Sequence, residues 1–230
     1  AEAEAEATEG TEEDSETPTE GKESEPSEDK QKKELLLSMS SNNLLIVGLG
    51  NPDKDYEGSR HNCGADYVKF LSDRIKITLS KEDKFFALYG SKKIEKKNIH
   101  LCIPTVYVNE SGQTVSAIKN YLKLSNTDIL IVHDELDLPL GKIKLKEGGG
   151  HGGHNGLRNI IDSQKGDASF MRMRIGIDHP RKGADVVKYV LSKVNKKDRK
   201  ILDTSFEKTL DILDSVIKGK WQQAMLELHT

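Results

Sequence analysis

Four consecutive apolar residues, Leu44, Leu45, Ile46 and Val47, run straight into Gly48-Leu49-Gly50-Asn51-Pro52. Apolarity at every position, rather than every second one, describes a strand buried on both faces. Such a strand needs a covering layer on each side, which points to a parallel sheet wrapped by helices. The rest of the chain fits that plan. Ala65, Val68, Phe70, Leu71 and Ile75 recur at near-helical spacing, and Val115, Ile118, Tyr121 and Leu122 mark a second helix. Further strands are expected at residues 85–89, 99–103 and 129–132. In residues 142–146 lysine alternates strictly with Ile143 and Leu145, which puts Lys142, Lys144 and Lys146 on one face. Met171, Met173, Ile175 and Ile177 alternate with Arg172 and Arg174 in the same way. Helical patterns follow at 184–193, 196–217 and 221–228. The expected class is α/β: a single domain with a twisted, mixed, mostly parallel sheet flanked by helices.

Composition divides the 230 residues unevenly. Residues 1–40 carry 14 Asp/Glu against 4 Lys, a net charge of −10, while the remainder carries 24 acidic and 31 basic residues, a net of +7. The formal −3 of the whole chain therefore hides a basic body. Residues 1–40 hold no aromatic residue and are rich in Glu, Ser, Thr and Pro. They cannot bury enough apolar surface to offset the entropy of ordering, so they are expected to form a disordered acidic extension. Residues 41–230 are expected to form the folded catalytic domain, long enough to bury a sizeable core.

Several classes are excluded. No apolar run approaches the ~18 residues of a membrane span. No secretory or transit pattern is seen, which points to the cytosol. Cys63 and Cys102 cannot make a disulfide scaffold, no CxxC suits zinc, and both are expected to pack as small apolar residues.

In an α/β sheet, functional groups gather at the carboxyl ends of the strands. Those ends carry unusual residues here. The first strand leads to Asn51, then to Tyr56 and Ser59-Arg60-His61-Asn62. The strand at 99–103 leads to Tyr107-Val108-Asn109. The strand at 129–132 ends in His133-Asp134-Glu135, and the lysine strand in Gly148-Gly149-Gly150-His151-Gly152-Gly153-His154-Asn155. One His, one Asp and three Asn can converge at one rim. An imidazole can take a proton from water, contributing ~10²–10⁴-fold in rate. A carboxylate on its other nitrogen fixes the tautomer. Asparagine amides can donate to an oxyanion, at roughly 10²–10³-fold per donor. No serine stands in a GxSxG elbow, so direct attack by water is more natural than a covalent intermediate.

The motifs Gly48-Leu49-Gly50-Asn51-Pro52, Ser59-Arg60-His61-Asn62-Cys63-Gly64, Asn109-Glu110-Ser111-Gly112, His133-Asp134-Glu135 and Gly150-His151-Gly152-Gly153-His154-Asn155-Gly156, in that order from about Leu44 onward, resemble the bacterial-type peptidyl-tRNA hydrolase family. That resemblance implies cleavage of the ester joining a peptide to the terminal ribose of tRNA. It implies that His61 is the general base, that Asp134 orients it, that Asn51 positions the centre and that Asn109 holds substrate and oxyanion. Asn155 would anchor a water and the tRNA 3′ end, and Tyr56 and Tyr107 lie at family positions near the terminal nucleoside. It implies neither metal nor organic cofactor, no obligate protein partner, and a monomer. The family loop reads Asn-Pro-Gly, but Asp53 stands at that glycine; a positive φ there would strain it. Val108 replaces the usual Met, shortening a wall of the peptide channel.

Beside these, Lys144 and Lys146 read as a phosphate track, with His154 at a helix N-terminus and Arg158 one turn later extending it. Arg174 is open to pairing with an internal carboxylate. Tyr189 and Trp221 are expected to be packing residues. Two rival functions remain at this level. One is a non-catalytic RNA-binding protein of the same fold, such as a splicing factor. The other is a metal-dependent hydrolase using His61, His133, Asp134 and His151.

Overall fold

The computed structural model describes residues 42–229. The acidic segment 1–40 lies outside the described residues. β1 (Asn43–Gly48) is the hub, pairing in parallel with β4 (Lys97–Pro104) on one side and β5 (Ile129–Glu135) on the other. β5 pairs in parallel with β7 (Met171–Gly176). Beyond β4 the sheet continues antiparallel through β3 (Ala87–Ile94) to β2 (Ser80–Glu82), and beyond β7 it ends in the antiparallel β6 (Ile143–Glu147). The order is β2-β3-β4-β1-β5-β7-β6. The mixed character is thus segregated, with a parallel centre and antiparallel margins.

The burial of β1 on both faces follows its sequence. Leu44 and Ile46 join one core, Leu45 and Val47 the other. The first core is closed by α1 (Cys63–Ile75), α5 (Lys196–Lys208), α6 (Leu213–Ile217) and α7 (Trp221–His229). The second is closed by α2 (Ser111–Leu122) and α3 (Asn155–Ser163). A short α4 (Val186–Leu191) contributes no buried residue. Among the described residues no helix is long and apolar enough to cross a membrane.

Three expected elements differ. The strand expected from residue 85 begins at Ala87, because residues 83–85 make a 3-10 turn and Phe86 has φ +53°. That turn buries Phe85 against Tyr89 and Tyr121, with ring centroids 5.0 and 5.2 Å away. The long helix expected over 196–217 breaks at residues 209–212. There the buried Thr209 hydroxyl donates back to the Phe206 carbonyl, at 2.7 Å, and lies 3.0 Å from Tyr67 Oη. The helix expected over 184–193 is only α4. Asp185 caps it through Oδ1, and Ser192–Lys193 leave it as extended chain beside Ser59 and Arg60.

The lysine strand needs a correction too. β6 runs antiparallel to β7, with Glu147 opposite Met171, so its carboxyl end points away from the rim where β1, β4 and β5 end. The glycine segment returns the chain to that rim. Gly148, Gly149, Gly152 and Gly153 all have positive φ, and the carbonyls of Gly149 and Gly150 accept from the buried Arg172 guanidinium.

Candidate active site

The carboxyl ends of β1, β4 and β5 open into a cleft of about 780 Å³. His61 reaches it from the turn before α1. The first turn of α1 lies hard against β5: a Cβ on Gly64 would sit 2.3 Å from the Val132 carbonyl oxygen. Only glycine allows that approach, and it brings position 61 beside position 134. His61 Nδ1 is 2.9 Å from Asp134 Oδ1, and both side chains are buried. A carboxylate accepts, so Nδ1 carries the proton and Nε2 is left with its lone pair on the cleft side of the ring.

Asp134 Oδ1 has a second partner, the His154 Nε2, at 3.0 Å. His154 Nδ1 accepts the backbone N–H groups of Gly156 and Leu157, at 3.1 and 3.3 Å, as the N-cap of α3. A nitrogen accepting two amides holds no proton, so the ring proton of His154 sits on Nε2 and is donated to Asp134. Two imidazole N–H groups therefore converge on one carboxylate oxygen. Burial alone would raise Asp134; His61 and then His154 outweigh it and hold the carboxyl well below its ordinary value of 3.8. Burial alone would lower His61; the charge and hydrogen bond of Asp134 outweigh it and leave the imidazole above 6.5. His133 is pushed down to about 3, by burial first and then by His154, and stays neutral. Its Nδ1 is 2.6 Å from the Asp134 carbonyl oxygen.

The asparagines divide into two kinds. Asn51 is buried, and its Oδ1 accepts the Val108 N–H at 2.9 Å, which ties the loop after β1 to the loop bearing Asn109. Its backbone is clasped by Asn62, whose Oδ1 accepts from Asn51 N at 2.8 Å and whose Nδ2 donates to the Asn51 carbonyl at 2.9 Å. Asn109 and Asn155 are exposed and face the cleft. Tyr56 and Tyr107 line it as well. Tyr107 Oη donates to Asp53 Oδ2 at 2.5 Å, and Asp53 is extended, with φ −71° and ψ 144°, so its replacement of glycine carries no backbone strain. Val108 packs between the cleft and Gly156.

Lys144 and Lys146 share a sheet face with Arg174 and Arg172, their register partners, on the α3 side. Arg158 is exposed on α3 at the cleft. Arg174 Nε donates to Glu135 Oε2 at 2.8 Å, which settles the open question about its partner. His154, expected at the tRNA, lines the cleft. Its side chain is 8% exposed and both nitrogens serve the protein. Sequence reasoning missed its bond to Asp134, the clasp of Asn62, and the anchoring of Arg60. The only available signal was the N-cap position of His154 before Asn155-Gly156-Leu157.

The metal set His61, His133, Asp134 and His151 does not assemble. His133 Nδ1 is turned to a carbonyl, and His151 Nδ1 accepts the Gly153 N–H at 3.1 Å. A different trio, His61, Asp134 and His154, brings three ligand atoms within 4.8 Å of one another. Those atoms are already joined by imidazole protons, a donor set built for hydrogen bonding rather than ligation.

Fold and site together define a class: an α/β protein with a buried imidazole–carboxylate pair at the carboxyl ends of its parallel strands. The family model for peptidyl-tRNA hydrolase matches residues 45–230. The peptidyl-tRNA hydrolase of Pseudomonas paraeruginosa is 45% identical over 186 residues, 81% of this chain and 96% of its own. That of Marinomonas sp. is 41% identical over the same share of each chain. The crystal structure of peptidyl-tRNA hydrolase from Acinetobacter baumannii superposes with a TM-score of 0.77 at 40% identity, covering 82% of this chain and 95% of that one. The chain belongs to the peptidyl-tRNA hydrolase family.

Proposed function

We propose that this chain hydrolyses the ester of peptidyl-tRNA, releasing peptide and free tRNA. The observation that carries the reading is the His61 Nδ1–Asp134 Oδ1 contact of 2.9 Å, which leaves the opposite ring nitrogen toward the cleft. In this reading His61 Nε2 takes a proton from water as the oxygen attacks the ester carbonyl. Asp134 fixes the tautomer and stabilises the imidazolium. His154 holds Asp134 and touches no substrate. Asn109 donates to the oxyanion, and the ribose oxygen leaves with the proton returned from His61. Asn51 positions the Asn109 loop through Val108. Asn155 holds the tRNA 3′ end, and Tyr56 and Tyr107 flank the terminal nucleoside. The enzyme works as a monomer in the cytosol. The names of its relatives favour hydrolysis over the non-catalytic RNA-binding alternative.

The test is acid release from N-acetyl-aminoacyl-tRNA. Multiple turnovers, unaffected by a chelator, support the reading. A chain that binds this tRNA without releasing acid overturns it.

Lys144 and Lys146, with Arg158, form the phosphate track in the same reading. The double change Lys144→Ala with Lys146→Ala is expected to weaken tRNA binding and to flatten the plot of log affinity against log salt, by roughly one unit per lost phosphate contact. Turnover of a minimal substrate with no tRNA body should be retained. Filter binding at several salt concentrations checks this, and an unchanged slope removes the track.

A further inference from the structure

We propose that Arg60 is a positioning residue: it locks the His61 turn to an apolar wall on α4, so that an apolar acyl group resting on that wall speeds the chemical step. This rests on the peptidyl-tRNA reading above.

The wall consists of Val186, Val187, Val190 and Leu191, all lining the cleft that holds His61. Val187 is 63% exposed and Val186 44%. This six-residue helix has no fully buried residue, and only Tyr189 and Val190 pack, partly buried, against the first core. Ties at its carboxyl end add to that packing. Tyr189 Oη donates to the Ile177 carbonyl, just past β7, at 2.7 Å. Arg60 supplies most of the rest. Its Nη1 donates to Ser192 Oγ at 2.7 Å and to the carbonyls of Ser192 and Lys193 at 3.4 Å each. Its Nη2 lies 3.6 Å from Asp198 Oδ2. Its guanidinium carbon stands 4.3 Å from the centre of the Tyr189 ring, the residue expected only to pack. Backbone bonds Arg60 N to Ser192 O, 3.2 Å, and Val194 N to Gly58 O, 2.8 Å, reinforce the seam.

The Arg60 side chain is only 12% exposed, so water competes weakly for these bonds. The next residue is His61. The turn bearing the base and the helix bearing the wall therefore move as one piece. The occupant of the wall is the acyl group of the substrate, because the ester that His61 reaches and the exposed valines share one cleft. An apolar side chain of that group, seated on the valines, would hold the ester carbonyl at a fixed distance from His61 Nε2.

The experiment compares N-acetyl-alanyl-tRNA with an N-acetyl-dileucyl-tRNA, on the full chain and on Arg60→Gln, Arg60→Lys and Val187→Ser. The wild type is expected to show the larger kcat on the dileucyl substrate. Arg60→Gln should lower that kcat by about tenfold, within the ~10²-fold that a misplaced reacting group can cost, with KM changing by less than about twofold. The ratio of the two kcat values should fall toward about one. Arg60→Lys, which keeps a charge for Asp198 and a donor for Ser192, should restore part of the ratio. Val187→Ser should lower the ratio with Arg60 in place. A ratio that Arg60→Gln leaves unchanged overturns the proposal, as does an equal loss on both substrates with a lowered Tm, the signature of a merely structural role. A wild type that cleaves neither substrate overturns the function itself, a separate result.

Discussion

Alanine at position 61 is expected to slow ester cleavage by ~10²–10⁴-fold while tRNA affinity stays within about twofold. Among the described residues, His61 is the buried imidazole of the cleft that a carboxylate holds through Nδ1 while its Nε2 makes no bond within the protein. His154 spends one nitrogen on the cap of α3 and the other on Asp134. His133 is neutral and turned to a carbonyl. His151 is tied to Gly153, and His179 Nε2 is 2.9 Å from Asp137 Oδ1 at the exposed rim. His133 keeps an unpartnered Nε2, but a ring whose pKa is pushed down to about 3 is too weak a base to take over the proton, so the loss should be deep. The check is single-turnover release measured beside binding on the same substrate. A variant that retains cleavage within tenfold of wild type would dismiss His61 as the base. Combining His61→Ala with Asp134→Asn should add little, because the two act as a unit.

Asp134→Asn is expected to reduce the maximal rate by about 10²-fold or more and to move the pH dependence to lower pH. Both imidazole N–H groups meet one oxygen, Oδ1, and an asparagine oxygen can occupy that place. The hydrogen bonds survive in this variant; the charge does not. The sign follows from the two opposed influences on His61. Burial disfavours the imidazolium and lowers its pKa, whereas Asp134 favours the imidazolium and raises it, and in the wild type the carboxylate prevails. The acting form is the neutral ring. Wild-type activity should therefore rise with pH through a midpoint above 6.5. Without the negative charge, burial acts unopposed and the midpoint should fall below 6.5. A pH profile of kcat/KM reads this directly. A midpoint that stays put, or climbs, would mean that another group sets the limb.

The parallel centre of the sheet was legible because Leu44–Val47 are apolar at every position, and a strand of that kind has few other homes. The pairing of His61 with Asp134 was legible only through the order of motifs resembling a family. Their separation of 73 residues carries no geometric information of its own. Other features were out of reach. Which strand turns antiparallel at an edge is decided by pairing partners, so alternation in residues 142–146 revealed a face but not a direction. The break at Thr209 depends on a partner hydroxyl, Tyr67, 142 residues away.

The sequence alone determined the layer architecture, the stock of chemical groups at the strand ends and the separation of an acidic segment from a basic body. These follow from local pattern, since period, apolarity and charge are properties of neighbouring residues. Only the tertiary structure decided how those groups are wired. It set two histidines on one carboxylate oxygen, engaged both nitrogens of His154 within the protein, and tied Arg60 to α4. The cap bonds of His154 aside, each of those is a contact between distant segments whose distance and hydrogen-bond direction exist only once the chain has packed, because a side chain's partner is fixed by what the fold brings within about 3 Å of it.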